Sequence, residues 1–159
     1  MCGIAGIVHG DFNEPVQGEL LQRMIDRIHY RGPDDQGVWL SEGVGLGHKR
    51  LTIIDLVGGR QPMRSRDGRI CLTYNGEIYN YIELRAELEK LGRSFSTQSD
   101  TEVLLQAYMQ HGKECLQRMN GMFAFALWDV EKKALFAARD RFGIKPFYYY
   151  WDGNLFAFA

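Results

Sequence analysis

The chain has 159 residues, of which 45% are hydrophobic and 25% charged, an ordinary composition for a globular protein. Its 19 basic and 20 acidic side chains leave a net charge of −1, which argues against a nucleic-acid-binding surface or a polybasic membrane patch. The apolar runs are far shorter than the roughly 18 residues that cross a membrane, and the N-terminus lacks a secretory signal pattern. We therefore expect one soluble, cytoplasmic domain over residues 1–159, with no nucleic-acid or membrane partner.

The predicted elements alternate between strands and helices along the chain. Glycine-punctuated segments rich in β-branched residues predict strands at 3–8, 37–40, 44–53, 70–74, 122–128, 134–139 and 154–158. A first helix is predicted between the first two strands, because apolar residues there recur at i, i+3, i+4 and i+7. These residues are Leu21, Met24, Ile25 and Ile28.

Two further helices are predicted from capping signals. One begins at Asn80, whose side chain can cap the helix while Glu83 reaches back, and the other begins with a capping box of Ser99 and Glu102. Their apolar faces are Leu84, Leu88 and Leu91 in the first and Val103, Leu104 and Ala107 in the second. They end at Gly92 and Gly112.

The strands at 122–128 and 134–138 lack a polar face, so each must be covered on both sides. An antiparallel hairpin of this kind implies a layered arrangement. One side of the hairpin would pack against a second sheet and the other against helices.

Cys2 is the first candidate for chemistry because of its position. Removal of Met1 would give one residue both a thiol and a free α-amine, and such an amine has a pKa of about 8, close enough to neutrality to accept the thiol proton. The two glycines of the segment 2–8 would let a substrate approach a thiol held at an edge of the sheet. The alternative is that Cys2 only packs at the start of a strand.

Asn75 and Gly76 are candidates for an oxyanion hole. The segment 74–77 is expected to end a strand before a helix, where backbone N–H groups become free to donate. The Asn75 amide and the Gly76 N–H are neutral donors suited to the charge that develops on a carboxamide oxygen under attack. A simple Asn-Gly turn is the alternative.

Three charged residues could bind the two ends of a free amino acid. Arg50 lies inside a predicted strand, where its guanidinium could hold a carboxylate bidentately. Asp100 and Glu77 could bind an ammonium group, although acidic residues such as Asp100 are also common at helix N-termini. Together the three fit the α-carboxylate and α-amine of one ligand.

Other candidate groups indicate packing rather than chemistry. Cys71 and Cys115 are expected to be buried thiols, and the three cysteines contain no CxxC pair. The four histidines lack the spacing of a metal site, so no metal is predicted. No phosphate-binding loop of the GxxxxGK type occurs in the chain.

Seven blocks of this sequence resemble class II glutamine amidotransferase domains, and within them the N-terminal part of glutamine-hydrolysing asparagine synthetases. They are MCGIAGIV (1–8), RGPDDQG (31–37), GLGHKRLTIIDL (45–56), YNGEIYNYIELR (74–85), SDTEVLL (99–105), NGMFAFALWD (120–129) and RDRFGIKPFYYY (139–150). They cover nearly the whole chain in the expected order. The resemblance implies an α+β fold, a four-layer αββα sandwich of two antiparallel sheets of the N-terminal-nucleophile type.

The resemblance also assigns roles to the candidate residues. Cys2 becomes the nucleophile, Arg50 the carboxylate clamp, Asn75 with Gly76 the oxyanion hole, and Glu77 with Asp100 the amine-binding pair. It also implies that the substrate is L-glutamine and that contacts along Leu51, Thr52, Ile53 and Ile54 shape the glutamine pocket.

For an intact protein the resemblance implies a second, C-terminal domain of the ATP-pyrophosphatase type, which uses ATP and Mg²⁺ to amidate aspartate with the ammonia. Its SGGxDS-type nucleotide loop does not occur here, so no cofactor is expected in this chain. Amidation of a sugar or peptide remains an alternative, as does a non-catalytic interaction module of the same fold. The sequence leaves a homodimer open.

Overall fold

The strands form two antiparallel sheets with helices packed against them. The computed structural model describes residues 1–52, 55 and 58–159. In the described residues the strands are β1 Gly3–His9, β2 Asp35–Ser41, β3 Val44–Arg50, β4 Met63–Arg64, β5 Ile70–Ile78, β6 Gly121–Asp129, β7 Ala134–Arg139, β8 Tyr149–Trp151 and β9 Leu155–Phe158. The helices are α1 Gly18–Arg27, α2 Tyr81–Lys90, α3 Asp100–His111 and α4 Cys115–Arg118. The strand orders are β2-β3-β1-β9-β8 and β4-β5-β6-β7.

The two sheets lie face to face between layers of helices. Helix α1 packs its buried Leu21 and Ile25 on the outer face of the five-stranded sheet. Gly45 and Gly47 permit this close approach, since an added Cβ would come within 2.9 Å of Leu21 and 2.6 Å of Ile25. Helices α2 and α3 cover the other face of the four-stranded sheet. The predicted αββα sandwich is confirmed.

Two apolar cores hold these layers together. One lies between the sheets and contains Ile4, Leu46, Ala126 and Trp128. The other lies between the four-stranded sheet and its helices, with Phe125 fully buried at its centre. Strand β6 contributes to both cores, so its sequence is apolar on both faces, as expected. Strand β7 is less covered than predicted because it is the edge strand, and its residues are half-buried or exposed.

Three strand predictions differ from the structure in ways that affect the site. Strand β3 ends at Arg50 rather than continuing through Leu51 and Thr52, and residue 53 lies outside the described residues. Strand β5 continues through 75–77 to Ile78, because β6 pairs with it over this whole length. Strand β1 lies in the middle of its sheet, so Cys2 precedes a central strand and not an edge strand. Strands β4 and β8 and helix α4 were not predicted.

The predicted capping interactions are wrong in detail although the helix starts are right. The Asn80 side chain makes no cap bond; it bonds instead to the Arg118 carbonyl and the Asn120 N–H. Ser99 caps α3 by accepting from the Thr101 N–H. Glu102 binds residues 96 and 97 of the preceding loop and does not reach back to Ser99. A tertiary or loop partner has replaced the local one in both cases.

The helix ends follow the sequence more closely. Gly92 and Gly112 both have positive φ, at 86° and 59°, which glycine adopts without strain. Leu84 and Leu88 are buried as predicted, but Leu91 follows the last turn of α2 and is 55% exposed. No helix in the described part of the chain is long and apolar enough to cross a membrane.

Candidate active site

A cavity of about 340 Å³ opens beside the N-terminus, at the end of the seam between the two sheets. It brings together most of the residues predicted from the sequence: Cys2, Arg50, Leu51, Asn75, Gly76, Glu77 and Asp100. Thr52 does not line it, and its N–H instead donates to Asp34 over 2.8 Å. Ile53 and Ile54 lie outside the described residues.

The Cys2 thiol lies against the backbone of Leu51, where β3 has just ended. Its Sγ is 3.4 Å from the Leu51 nitrogen and 3.5 Å from the Leu51 oxygen. The Cys2 carbonyl accepts from Arg31 Nε over 3.0 Å, which fixes the residue on both sides. Burial raises the pKa of the Cys2 thiol, while the Leu51 contact, the N-terminal ammonium and Arg50 act against this rise. A base is therefore needed to form the thiolate.

Strand β5 presents an open edge to this cavity. Its neighbour β4 pairs only with Cys71 and Leu72. Beyond that point the Tyr74 N–H donates to the Gln61 side chain over 2.6 Å, and the Ile78 N–H donates to Asp100 over 3.1 Å. Since N–H directions alternate along a strand, Gly76, midway between these two, directs its N–H toward the same edge.

The opposite strand supports this direction for the Gly76 N–H. Phe123 is the partner of Gly76 in β6, and its N–H donates over 3.1 Å to Asp140 on the side away from β5. The pair Gly76 and Phe123 is therefore of the non-hydrogen-bonded kind. A Cβ on Gly76 would overlap the Met122 carbonyl oxygen and crowd Phe123, so only glycine fits here.

The Asn75 side chain lies on the other face of β5 from Tyr74 and Gly76. Its cross-strand partner Ala124 belongs to the core between the sheets, so Asn75 points toward the sheet that carries Cys2. Asn75 is 4% exposed and lines the cavity. The predicted donors are thus both at the cavity, but within a continuous strand and not at a strand end or in a turn.

Opposite charges line two parts of the cavity. Arg50 is buried, and its guanidinium donates to the Asp55 carbonyl over 2.6 Å. Asp100, the first residue of α3, is also buried and accepts from the Tyr74 hydroxyl over 2.8 Å. Burial raises the pKa of Asp100, whereas the Tyr74 hydroxyl and the Ile78 and Thr101 N–H groups lower it. Glu77 is half-buried and adds a second carboxyl group.

Four residues that sequence reasoning did not select also contribute to the site. Tyr74 and Gln61 line the cavity and contact Asp100 and β5, respectively. Arg31 holds the Cys2 carbonyl. Lys145 is 4% exposed, lines the cavity and places Nζ 3.1 Å from Met1 Sδ. Arg31, Tyr74 and Lys145 lie in three of the resembling blocks, which was the available signal for them; Gln61 lies between blocks and had none.

A family model described as a glutamine amidotransferase domain matches residues 1–159. The chain belongs to this family. The amidotransferase domain is 46% identical over 163 residues to asparagine synthetase (glutamine-hydrolysing) 3 of Bacillus subtilis, covering 100% of this chain and 26% of that protein. It is 44% identical over 178 residues to a putative asparagine synthetase 2 of Methanocaldococcus jannaschii, covering 100% and 34%. The family predicted from the sequence blocks is confirmed.

A solved structure shows the same fold at lower sequence identity. Glutamine phosphoribosylpyrophosphate amidotransferase from B. subtilis, complexed with ADP and GMP, superposes with a TM-score of 0.77 at 20% identity. The match covers 99% of this chain and 41% of that one. The amidotransferase domain spans only about a quarter to a third of the length of the two asparagine synthetases.

Proposed function

We propose that this domain hydrolyses L-glutamine to glutamate and ammonia, with Cys2 as the nucleophile. The observation that carries the proposal is the convergence in one cavity of the Cys2 thiol, the open edge of β5, and the opposite charges of Arg50 and Asp100. Family membership supports the same chemistry. The relatives named as glutamine-hydrolysing enzymes match the chain over its full length.

The charged residues orient the substrate in this proposal. Arg50 binds the α-carboxylate, and Asp100 with Glu77 binds the α-ammonium group. Burial strengthens both contacts, because neither charge is screened by bulk water. The carboxamide of glutamine then extends toward Cys2 and the Gly76 N–H.

Hydrolysis begins when the α-amine of Cys2, freed by removal of Met1, takes the thiol proton. The sulfur attacks the carboxamide carbon, and the Asn75 amide and Gly76 N–H stabilise the negative charge on oxygen. The amine passes its proton to the departing nitrogen, the C–N bond breaks, and ammonia leaves a thioester. Water then cleaves the thioester, which releases glutamate and restores the thiol. A base is required because partial burial raises the pKa of the Cys2 thiol.

The ammonia is used, in this proposal, by a C-terminal synthetase domain that amidates aspartate with ATP and Mg²⁺. The lengths and names of the relatives support such a second domain. In this proposal ATP and Mg²⁺ are bound by that second domain. No step in the glutaminase cavity is assigned to either.

The test compares the Met1-processed protein with its Cys2→Ala variant. The processed protein should release glutamate and ammonia in equal amounts, and Cys2→Ala should release neither while binding glutamine within a few-fold of the parent affinity. Comparable glutamate release by Cys2→Ala would overturn the mechanism.

A second experiment identifies the ammonia acceptor. The full-length protein, given amide-labelled glutamine, ATP and aspartate, should form labelled asparagine. Transfer of the label only to a sugar or peptide would replace aspartate as the acceptor.

A further inference from the structure

The Gln61 side chain occupies the place of a missing strand neighbour beside β5. Its Oε1 accepts from the Tyr74 N–H over 2.6 Å, and its Nε2 donates to the Tyr74 carbonyl over 3.0 Å. One primary amide therefore makes both of the bonds that a backbone neighbour would make with Tyr74. Strand β4 stops pairing at Leu72, two residues earlier, so Gln61 continues the edge where β4 does not.

Gln61 also packs against the five-stranded sheet. Its backbone carbonyl lies so close to Gly37 in β2 that a Cβ at residue 37 would overlap it. Its Nε2 also lies 3.5 Å from the Thr101 hydroxyl at the start of α3. Gln61 thus connects three elements, namely β2, β5 and α3, at the rim of the cavity.

Tyr74 immediately precedes the two proposed oxyanion donors. Its carbonyl also accepts from His48 Nε2 over 3.1 Å, so the peptide between Tyr74 and Asn75 is fixed by two side chains. Burial lowers the pKa of His48 to about 4, so this residue is neutral at physiological pH and serves as a fixed donor. Any rotation of that peptide would move the Asn75 side chain and redirect the Gly76 N–H.

We propose that Gln61 is a positioning residue for the oxyanion hole, acting through the Tyr74 backbone. The inference rests on the proposed glutaminase function. Gln61 differs from the residues that bind the charged ends of the substrate, because both polar atoms of its side-chain amide are already bonded to Tyr74. Loss of Gln61 should therefore slow the chemical step and leave glutamine binding largely unchanged, since displacement of a preorganised donor is costly mainly in the transition state.

The test uses two substitutions and a matched control in the Met1-processed protein. Gln61→Met keeps the side-chain length but removes both bonds, whereas Gln61→Glu keeps the acceptor for the Tyr74 N–H and loses the donor to its carbonyl. Gln17→Met makes the same chemical change at an exposed residue that makes no side-chain cap bond. Steady-state glutaminase kinetics and amide hydrogen exchange of Tyr74 are measured for all three.

Gln61→Met should lower kcat by roughly 10- to 100-fold, with KM for glutamine within about threefold of the parent, and should accelerate exchange of the Tyr74 amide. Gln61→Glu should protect the Tyr74 amide, because it keeps the acceptor for that N–H, but it should still lower kcat, because a carboxylate oxygen then faces the Tyr74 carbonyl. This variant serves as the test if Gln61→Met fails to fold. Gln17→Met should match the parent.

A kcat within twofold of the parent in both Gln61 variants would overturn the role of Gln61 but not the proposed glutaminase function, because the parent would still be active. A rise in KM at constant kcat would also overturn it, by showing that Gln61 contacts glutamine directly. A processed parent that releases no glutamate would instead overturn the proposed function, and the inference with it.

Discussion

The Tyr74 hydroxyl donates to Oδ2 of Asp100 over 2.8 Å and thereby ties β5 to the first residue of α3. Tyr74 is 2% exposed and Asp100 5% exposed, so the bond is shielded from water. The same tyrosine presents its backbone to Gln61. Tyr74 therefore links the amine-binding part of the proposed site to the oxyanion-binding part.

Tyr74→Phe should weaken glutamine binding and the fold together. The buried Asp100 carboxylate would lose one hydrogen bond, a change of about 1.5–3 kcal/mol for a charged acceptor. We expect KM to rise roughly tenfold with a smaller change in kcat, and Tm to fall. Tyr79→Phe, at a residue 56% exposed, is the control. An unchanged KM would show that the Tyr74 hydroxyl does not support amine binding by Asp100.

The same variant should shift the pH dependence of glutamine binding. Burial raises the pKa of Asp100, and the Tyr74 hydroxyl now opposes that rise. Removing the hydroxyl should raise the pKa further, so Asp100 would become protonated, and lose its attraction for the ammonium group, at a higher pH than in the parent. The acidic limb of a plot of 1/KM against pH should therefore move to higher pH. A move to lower pH would contradict the role given to the Tyr74 hydroxyl.

Arg50→Ala and Asn75→Ala should affect different kinetic parameters. Loss of the carboxylate clamp should mainly raise KM, whereas loss of an oxyanion donor should lower kcat by roughly 100-fold or more. Steady-state kinetics over a wide glutamine range separates the two. If both variants changed only KM, the role proposed for Asn75 would be wrong.

Gly37→Ala should reproduce part of the Gln61 defect from a different strand. An alanine Cβ would overlap the Gln61 backbone carbonyl, so the loop that carries Gln61 must move. We expect a fall in kcat of roughly 10-fold with a small change in KM. The control is Gly18→Ala, whose Cβ would come no closer than 3.2 Å to the Leu40 side chain. Equal kcat values in the two variants would count against the coupling.

The three thiols should react with an alkylating agent in a fixed order. Burial raises the pKa of Cys71 to about 12 and that of Cys115 to about 11, and both side chains are fully buried. Cys2 is only half-buried and lines the cavity. Mass spectrometry at pH 8 should find one adduct, at Cys2, in the folded protein and three after denaturation. Labelling of Cys71 at the rate of Cys2 would contradict the packing described.

The sequence identified the main residues of the cavity but not always their setting. Asn75 and Gly76 were expected at a strand end or turn, whereas they lie within β5. Their N–H edge is open because β4 is only two residues long, and strand length depends on which chain lies alongside. An Asn-Gly pair carries no information about that neighbour.

The hydrogen-bonding roles of the supporting residues could not be predicted because their partners are distant in sequence. Tyr74 fits the apolar pattern of its strand, and the acceptor for its hydroxyl is 26 residues away. Gln61 is a polar residue in a loop, a place where polar residues are ordinary, and its role depends on pairing with Tyr74. Local patterns report which face of an element is apolar, not which buried polar group completes a hydrogen bond across the fold.

Hydrolysis by this mechanism requires Cys2 to be the N-terminal residue, so it depends on removal of Met1. Met1 lines the cavity, and while it is attached the nitrogen of Cys2 is an amide without the basicity to accept the thiol proton. Two preparations are compared by intact mass and glutaminase rate, one beginning at Cys2 and one with a non-cleavable N-terminal extension. Activity is expected only in the protein that begins at Cys2; full activity in the extended protein would rule out the α-amine of Cys2 as the base.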